Sequence, residues 1–239
     1  MKWKADFEDF LSGRTESEVF DKSTLMSLWK LMDKGIIELI DFPISTGKEG
    51  NVFRGKNRDG FVAVKIYRIN TITFRNISKY LQYDGLVNVK KNRRSVIYAW
   101  SNKEFANLSR LHEAGVRVPE PIAIDGNVIV MEYIGTEEMP APLLKDAEME
   151  EPETVFDDVV KNMSLMYKRA GLVHADLSEY NILYQKEVVI IDVGQTIKAK
   201  NPMAYKFLER DAYNVAKFFG KFFEVDKDKI LKQILEEKI

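Results

Sequence analysis

The stretch that most constrains this chain is Val173-His174-Ala175-Asp176-Leu177-Ser178-Glu179-Tyr180-Asn181-Ile182-Leu183, followed closely by Ile190-Ile191-Asp192-Val193-Gly194-Gln195. Its polar and acidic residues are set among apolar ones that read as two short strands, Asn181 to Tyr184 and Val188 to Ile191. Strands so placed bring Asn181 and Asp192 to neighbouring positions on one side of a cleft. The residue types suit phosphoryl transfer. That chemistry needs a carboxylate beside the accepting hydroxyl, and carboxylate and amide oxygens to hold the magnesium ion that neutralises the phosphates. Asp176 is the candidate base, or the group that orients the acceptor. Asn181 and Asp192 are the candidate metal ligands. Taken alone, an Asp before a strand is a turn or cap residue, Asp-x-Gly is a turn, and His174 is a packed structural residue. Their order and spacing together carry the reading.

Such a site predicts further parts upstream. Ser45-Thr46-Gly47-Lys48-Glu49-Gly50-Asn51-Val52 fits the glycine-rich pattern G-x-G-x-x-G-x-V, with Ser45 at the first glycine. Its glycines would let the backbone approach phosphates, and Ser45 and Lys48 could add direct contacts. By itself the segment reads first as a hairpin turn between two strands, and it lacks the Gly-Lys-Ser/Thr ending of a Walker A loop. Gly60 to Tyr67 is an apolar strand interrupted by Lys65. A lysine there costs free energy unless it is paired. It either faces solvent on an edge strand or meets phosphates and a helix carboxylate. A helix predicted over about 97–114 and closed by Gly115 offers Glu104 as that carboxylate. The other reading of Glu104 is an exposed acid pairing with Lys103 or Arg110.

Ile122-Ala123-Ile124 and Asn127 to Gly135 read as strands joined by an Asp125-Gly126 turn. Residues 16–40 read as a helix capped by Asp21 or Ser23, with Leu25, Leu28, Leu31 and Met32 at helical spacing and Gly35 at its end. Residues 70–95 are predicted irregular, and their basic run Lys90-Lys91-Asn92-Arg93-Arg94 reads as a solvated loop or as a contact to RNA phosphates. The acidic, proline-bearing Thr136 to Pro152 is the best lobe boundary. Helices are predicted over about 153–171, 203–220 and 227–238.

Composition narrows the class. With 45% hydrophobic residues over 239 positions the chain can bury a substantial core. No apolar run reaches the length of a membrane span, and the first residues lack the apolar core of a signal peptide. The chain has no cysteine, which excludes disulfides and fits a cytoplasmic location. A net charge of −1 gives no bulk attraction to nucleic acid, and DNA is not an expected partner.

In this order the parts resemble a protein kinase, with Val128 to Ile134 as its hinge. The wording of Ser45 to Val52, His174 to Asn181, Ile191 to Gln195 and Leu208-Glu209-Arg210-Asp211 resembles the RIO family of atypical serine protein kinases, most of all its first branch in the archaeal form. The resemblance implies an α+β, two-lobed kinase-like fold with a truncated C-terminal lobe and an extra N-terminal helix. Residues 1–40 would be the helical extension, 41–135 the N-terminal lobe and 136–239 the C-terminal lobe. ATP with Mg2+, or Mn2+, would be bound by Ser45, Thr46, Gly47, Lys48, Glu49, Gly50, Val52, Lys65, Glu104, Met131, Glu132, Tyr133 and Ile134. Backbone groups near Glu132 and Ile134 would meet the adenine edge. Asp176 would be catalytic, and Asp192 would also accept phosphate transiently. The resemblance further implies autophosphorylation on serine, with Ser95 a candidate, and ATP hydrolysis as a release switch. The implied partner is a precursor of the small ribosomal subunit, protein and rRNA together, with no membrane involved. Too few residues follow Gln195 for the usual activation segment and the large peptide-binding subdomain, so ATP binding is better supported than phosphorylation of a docked peptide. Two other functions compete: a small-molecule kinase of the aminoglycoside or choline type, and a nucleotide-sensing, non-catalytic ribosome-binding module. The oligomeric state is not set by the sequence.

Overall fold

The computed structural model describes residues 21–47, 50–69, 74–83 and 92–236. Helix α1, Lys22–Asp33, comes first. Asp21 caps it, accepting from the Thr24 amide at 2.8 Å, and the Ser23 hydroxyl donates to the same carboxylate at 2.9 Å. Leu28 and Leu31 pack with Val62, Val64, Ile66, Val128 and Val130, so α1 covers one face of a sheet. Gly35, at φ 70°, turns the chain out of the helix.

That sheet has five antiparallel strands: β1 Leu39–Thr46, β2 Gly50–Asn57, β3 Gly60–Tyr67, β4 Pro121–Asp125 and β5 Val128–Glu132. Their order is β1-β2-β3-β5-β4. β3 is central, with Lys65 opposite Val52 of β2 and Ile129 of β5. Side chains alternate across a strand. Val62, Val64 and Ile66 belong to the cluster under α1, and Ala63 and Tyr67 to the main core on the other face. Lys65 shares parity with Ala63 and Tyr67. The edge-strand reading of Lys65 therefore fails.

Helices α2, Phe74–Tyr83, and α3, Arg93–Glu113, cover that second face. α2 falls where irregular chain was predicted; Ile77 and Leu81, four residues apart, are buried in the main core. α3 begins before the predicted 97, because Asn92 caps it by accepting from the Ser95 amide at 2.9 Å. Arg93 and Arg94 thus belong to a helical first turn, not to a loop, and Ser95 lies beside them. Lys90, Lys91, Lys48, Glu49 and residues 1–20 lie outside the described residues.

The C-terminal lobe comprises α4 Pro152–Lys168, β6 Leu172–Val173, β7 Ile182–Tyr184, β8 Val188–Ile190, β9 Ile197–Lys198, α5 Ala204–Phe219 and α6 Lys227–Glu236. β7 and β8 form a hairpin, and β6 pairs with β9. Val159 and Met163 of α4, Val215 and Phe219 of α5, and Ile230 and Ile234 of α6 fill its core. That core is continuous with Ala63, Ile129 and Met131 of the sheet through Trp100 and Leu108 of α3. The architecture is α+β and kinase-like. Among the described residues no helix is long and apolar enough to cross a membrane.

Candidate active site

Lys65 lies where the two lobes meet. Its ammonium is 2.7 Å from Glu104 Oε1 on α3 and 2.5 Å from Asp192 Oδ1. Burial works against the charged lysine, but the carboxylates of Asp192 and Glu104 outweigh it and raise its pKa. The Lys65 charge in turn holds the Asp192 carboxyl below its ordinary range, against burial. Glu104 is only 1% exposed, and its second oxygen accepts from the Tyr67 hydroxyl. The local pairing of Glu104 with Lys103 or Arg110 is therefore not what the structure shows. Lys103 is itself buried, and its ammonium donates to the carbonyls of Gly194, at 2.8 Å, and of Thr196.

The loop between β6 and β7 presents Asp176. His174 is buried, its pKa is lowered by that burial, and Nε2 donates to the Ile191 carbonyl at 3.0 Å. His174 thus ties the loop to the residue before Asp192. Ala175 takes a left-handed conformation at φ 66°, which an L-residue adopts only under constraint. The constraint comes from α5. Asp211, 1% exposed, accepts from the amides of Ala175 at 2.8 Å and Leu177 at 3.0 Å. Arg210 donates to the Ala175 carbonyl, and Asn214 to the Leu177 carbonyl at 2.9 Å. Asn181 Nδ2 donates to the Asp176 carbonyl at 2.8 Å, which leaves its side-chain oxygen for a ligand. The Asp176 carboxylate accepts from Gln195 Nε2 at 3.2 Å and lies 3.8 Å from Arg210. Burial raises its pKa, although His174 and Arg210 favour the charged form.

Burial also pushes Asp211 up to about 7, against the two amide bonds that favour its carboxylate. Asp211→Asn keeps the shape but has one acceptor oxygen, so an amide is left facing an NH2 group. The expected loss is ~1–3 kcal/mol. The folded chain binds more protons at Asp211 than the unfolded chain between the ordinary 3.8 and about 7, so this group's stabilisation falls as pH rises through that window. Urea unfolding should therefore show a larger gap between wild type and Asp211→Asn at pH 5 than at pH 8.

Together these groups line one cleft. A chamber of about 230 Å³ is bounded by Ser45, Gly47, Lys65, Asp176, Asn181 and Asp192. An apolar pocket of about 200 Å³ adjoins it, sharing Ser45, Val52, Lys65, Glu104 and Asp192, and reaches Ala63, Met131 and Ile134. Polar chamber and apolar slot match the two ends of a nucleotide. A larger groove of about 480 Å³ lies elsewhere, between α1, α3 and the β4–β5 turn, with Lys22, Lys30 and Arg94 on its walls. It contains none of the phosphoryl-transfer residues.

Residues 51–230 match the family model of the RIO domain. The chain belongs to the RIO family. Its branch is the first, in the archaeal form. Over 209 residues it is 46% identical to the RIO-type serine/threonine-protein kinase Rio1 of Haloferax volcanii, a match covering 86% of this chain and 72% of that one. The Rio1 of Thermoplasma acidophilum is 43% identical over 185 residues, covering 77% of this chain and 98% of its own. Human serine/threonine-protein kinase RIO1 is 41% identical over 212 residues, which is 86% of this chain but 37% of the human one. Among solved structures, the Rio2 kinase-ADP/Mg2+-phosphoaspartate complex from Chaetomium thermophilum aligns with a TM-score of 0.69 at 22% identity, covering 90% of this chain and 67% of that one. The fold is shared, and the enzyme class is that of a serine/threonine protein kinase.

In this RIO-family chain the sequence-predicted residues fall into three groups. Ser45, Gly47, Gly50, Val52, Lys65, Glu104, Met131, Glu132, Ile134, Asp176, Asn181 and Asp192 line the cleft. Thr46 and Tyr133 do not; Tyr133, just past the end of β5, packs against Phe61 of β3, with ring centroids 5.9 Å apart. Lys48 and Glu49 lie outside the described residues. Two details correct the expectation. A Cβ on Gly50 would strike the Ile66 carbonyl of β3, so strand packing already requires that glycine without any phosphate. At the hinge, the Glu132 amide donates to the Glu120 carbonyl at 2.8 Å and the Ile134 carbonyl accepts from Ala141 at 2.9 Å. An adenine edge is left to the other backbone groups of Glu132 to Ile134. The Glu132 carboxylate faces Arg117, at 2.7 and 2.9 Å, and takes no part in the slot chemistry.

The family implies ATP and a divalent cation, and the residues fit them. Asp192 and Asn181 offer hard oxygen donors on one wall. Among the described residues no group of three His, Cys, Asp or Glu could hold a metal unaided. Phosphates and water must then complete the shell, which is how Mg2+ is usually bound beside nucleotides.

Proposed function

We propose that this chain is an ATP- and Mg2+-dependent serine kinase that also hydrolyses ATP, modifies itself on serine, and acts on a precursor of the small ribosomal subunit. The observation that carries the nucleotide chemistry is the convergence of Lys65, Asp176, Asn181 and Asp192 on one chamber beside an apolar slot. The ribosomal partner rests on the family resemblance.

Bound Mg2+ would neutralise charge on the phosphates, with Asn181 and Asp192 as its protein ligands. Lys65, held by Glu104, orients phosphate oxygens. Asp176 accepts the proton of a serine hydroxyl or a water as that oxygen bonds to the γ-phosphorus. The bond from phosphorus to the β,γ-bridging oxygen breaks, and ADP leaves with the electron pair. In the hydrolytic branch an Asp192 oxygen takes the phosphoryl group first, and water then cleaves the acyl phosphate. The description of the Chaetomium relative as an ADP/Mg2+-phosphoaspartate complex supports this branch.

A single-turnover assay with γ-labelled ATP and Mg2+, with and without small-subunit precursors, tests the reading. The expected result is particle-stimulated release of phosphate through a hydroxylamine-labile adduct that is absent from Asp192→Asn. Stable label on a ribosomal serine would make protein phosphorylation the useful reaction. No transfer to water, to the chain or to the particle would overturn the proposal in favour of a binding module.

A further inference from the structure

Helix α3 does more than carry the partner of Lys65. Trp100, Lys103, Glu104 and Asn107 are spaced i, i+3, i+4 and i+7, so they share one face. Glu104 meets Lys65. The other three meet the single 3-10 turn Val193–Gln195 that follows Asp192. The Lys103 ammonium donates to the carbonyls of Gly194 and Thr196. Asn107 Nδ2 donates to the Val193 carbonyl at 2.9 Å. The Trp100 indole packs so closely on Gly194 that a Cβ there would lie 2.9 Å from Cζ2.

The chemistry of these contacts points to a task. Burying an ammonium is costly unless its donors are used. A methionine would fill the same volume without that cost. The lysine head is spent on main-chain carbonyls of a turn from the other lobe, 91 and 93 residues further along the chain. That turn begins at Asp192, whose φ of 59° lies in the left-handed region and must be imposed by its surroundings. The Lys65–Asp192 ion pair also bridges the lobes, but a cation bound at Asp192 competes with Lys65 for the same carboxylate. Bonds from Lys103 and Asn107 to backbone carbonyls escape that competition.

We propose that Lys103, seconded by Asn107, is a positioning residue that clamps the Asp192 turn to α3. The metal-binding carboxylate and the Lys65–Glu104 pair are then held in one arrangement before nucleotide and metal arrive. The inference rests on the assignment of Asp192 as a metal ligand. The clamp itself is a property of the empty protein and can be measured there.

Two readouts test it in Lys103→Met and Asn107→Leu. The first is amide hydrogen exchange across residues 190–197 without metal or nucleotide. The second is ADP affinity with Mg2+ and with EDTA. Losing charged hydrogen bonds of this kind is expected to change either readout about tenfold. Lys103→Met should speed exchange in this segment about tenfold, and should lower the gain in ADP affinity from Mg2+ by a similar factor, with affinity in EDTA held within about twofold. Asn107→Leu should shift both in the same direction by less. Wild-type exchange and wild-type Mg2+ dependence in Lys103→Met would overturn the clamp. If that variant does not fold, Asn107→Leu decides by the same two readouts, and an unchanged segment overturns the proposal. A wild-type protein whose ADP affinity ignores Mg2+ would sink the assignment of Asp192, while the exchange data would still judge the clamp.

Discussion

Asp176→Asn is expected to lower turnover by ~10²–10⁴-fold, the range a positioned general base supplies. Nucleotide affinity should stay close to wild type. The two outcomes separate because Asp176 is held mainly by its backbone. Its carbonyl accepts from Asn181, and its neighbours' amides are fixed by Asp211, so the loop does not depend on the carboxylate. Asparagine retains an oxygen for Gln195 but cannot take a proton. Burial raises the Asp176 pKa, which makes the carboxylate a better base than an exposed one, and activity should rise with pH as it ionises. That acid limb should be missing from the residual rate of Asp176→Asn. Turnover measured against pH, beside ADP binding by fluorescence, checks both parts. A variant that turns over ATP at the parental rate would remove Asp176 from the chemistry.

What was legible in the sequence was whatever chemistry leaves on neighbouring residues. Asn181 and Asp192 flank one hairpin and Asp176 stands in the loop just before it, so their spacing already placed them together. Lys65 could be recognised because a charge in the middle of an apolar strand demands a partner. Glu104 followed as a carboxylate on the next helix. The limits have the same origin. Lys103 sits beside Glu104 and entered the reading only as its possible local ion-pair partner, because nothing local reveals that its carbonyl partners come from Gly194 and Thr196. The Asp211 bonds to Ala175 and Leu177 also join distant elements, although Leu208 to Asp211 had stood out as a motif without a role. α2 was missed although Phe74, Ile77 and Leu81 stand at helical spacing, because a short segment with polar residues between them is a weak signal alone, and its helix is fixed by burying Ile77 and Leu81 in the core. The early start of α3 was missed for another reason: two arginines in a first turn oppose the helix dipole, and the Asn92 cap outweighs them.

Lys65→Met is expected to be the most damaging single change to the fold near the cleft. It removes the cation from between two carboxylates and leaves Glu104, 1% exposed, as a buried charge beside the Tyr67 hydroxyl. Breaking one side of such a pair costs on the order of 3–5 kcal/mol, because the remaining charge has lost its compensation. The penalty should therefore belong to Glu104 rather than to the missing lysine. Adding Glu104→Gln removes the stranded charge, and the double variant should recover part of the stability lost by Lys65→Met alone. Nucleotide binding should not recover, since neither variant has an ammonium to meet phosphate oxygens. Urea unfolding and ADP binding on the two single variants and the double variant separate these effects. A double variant no more stable than Lys65→Met would show that the pair does not carry the cost. Parental ADP affinity without the lysine would show that Lys65 serves the fold and not the phosphates.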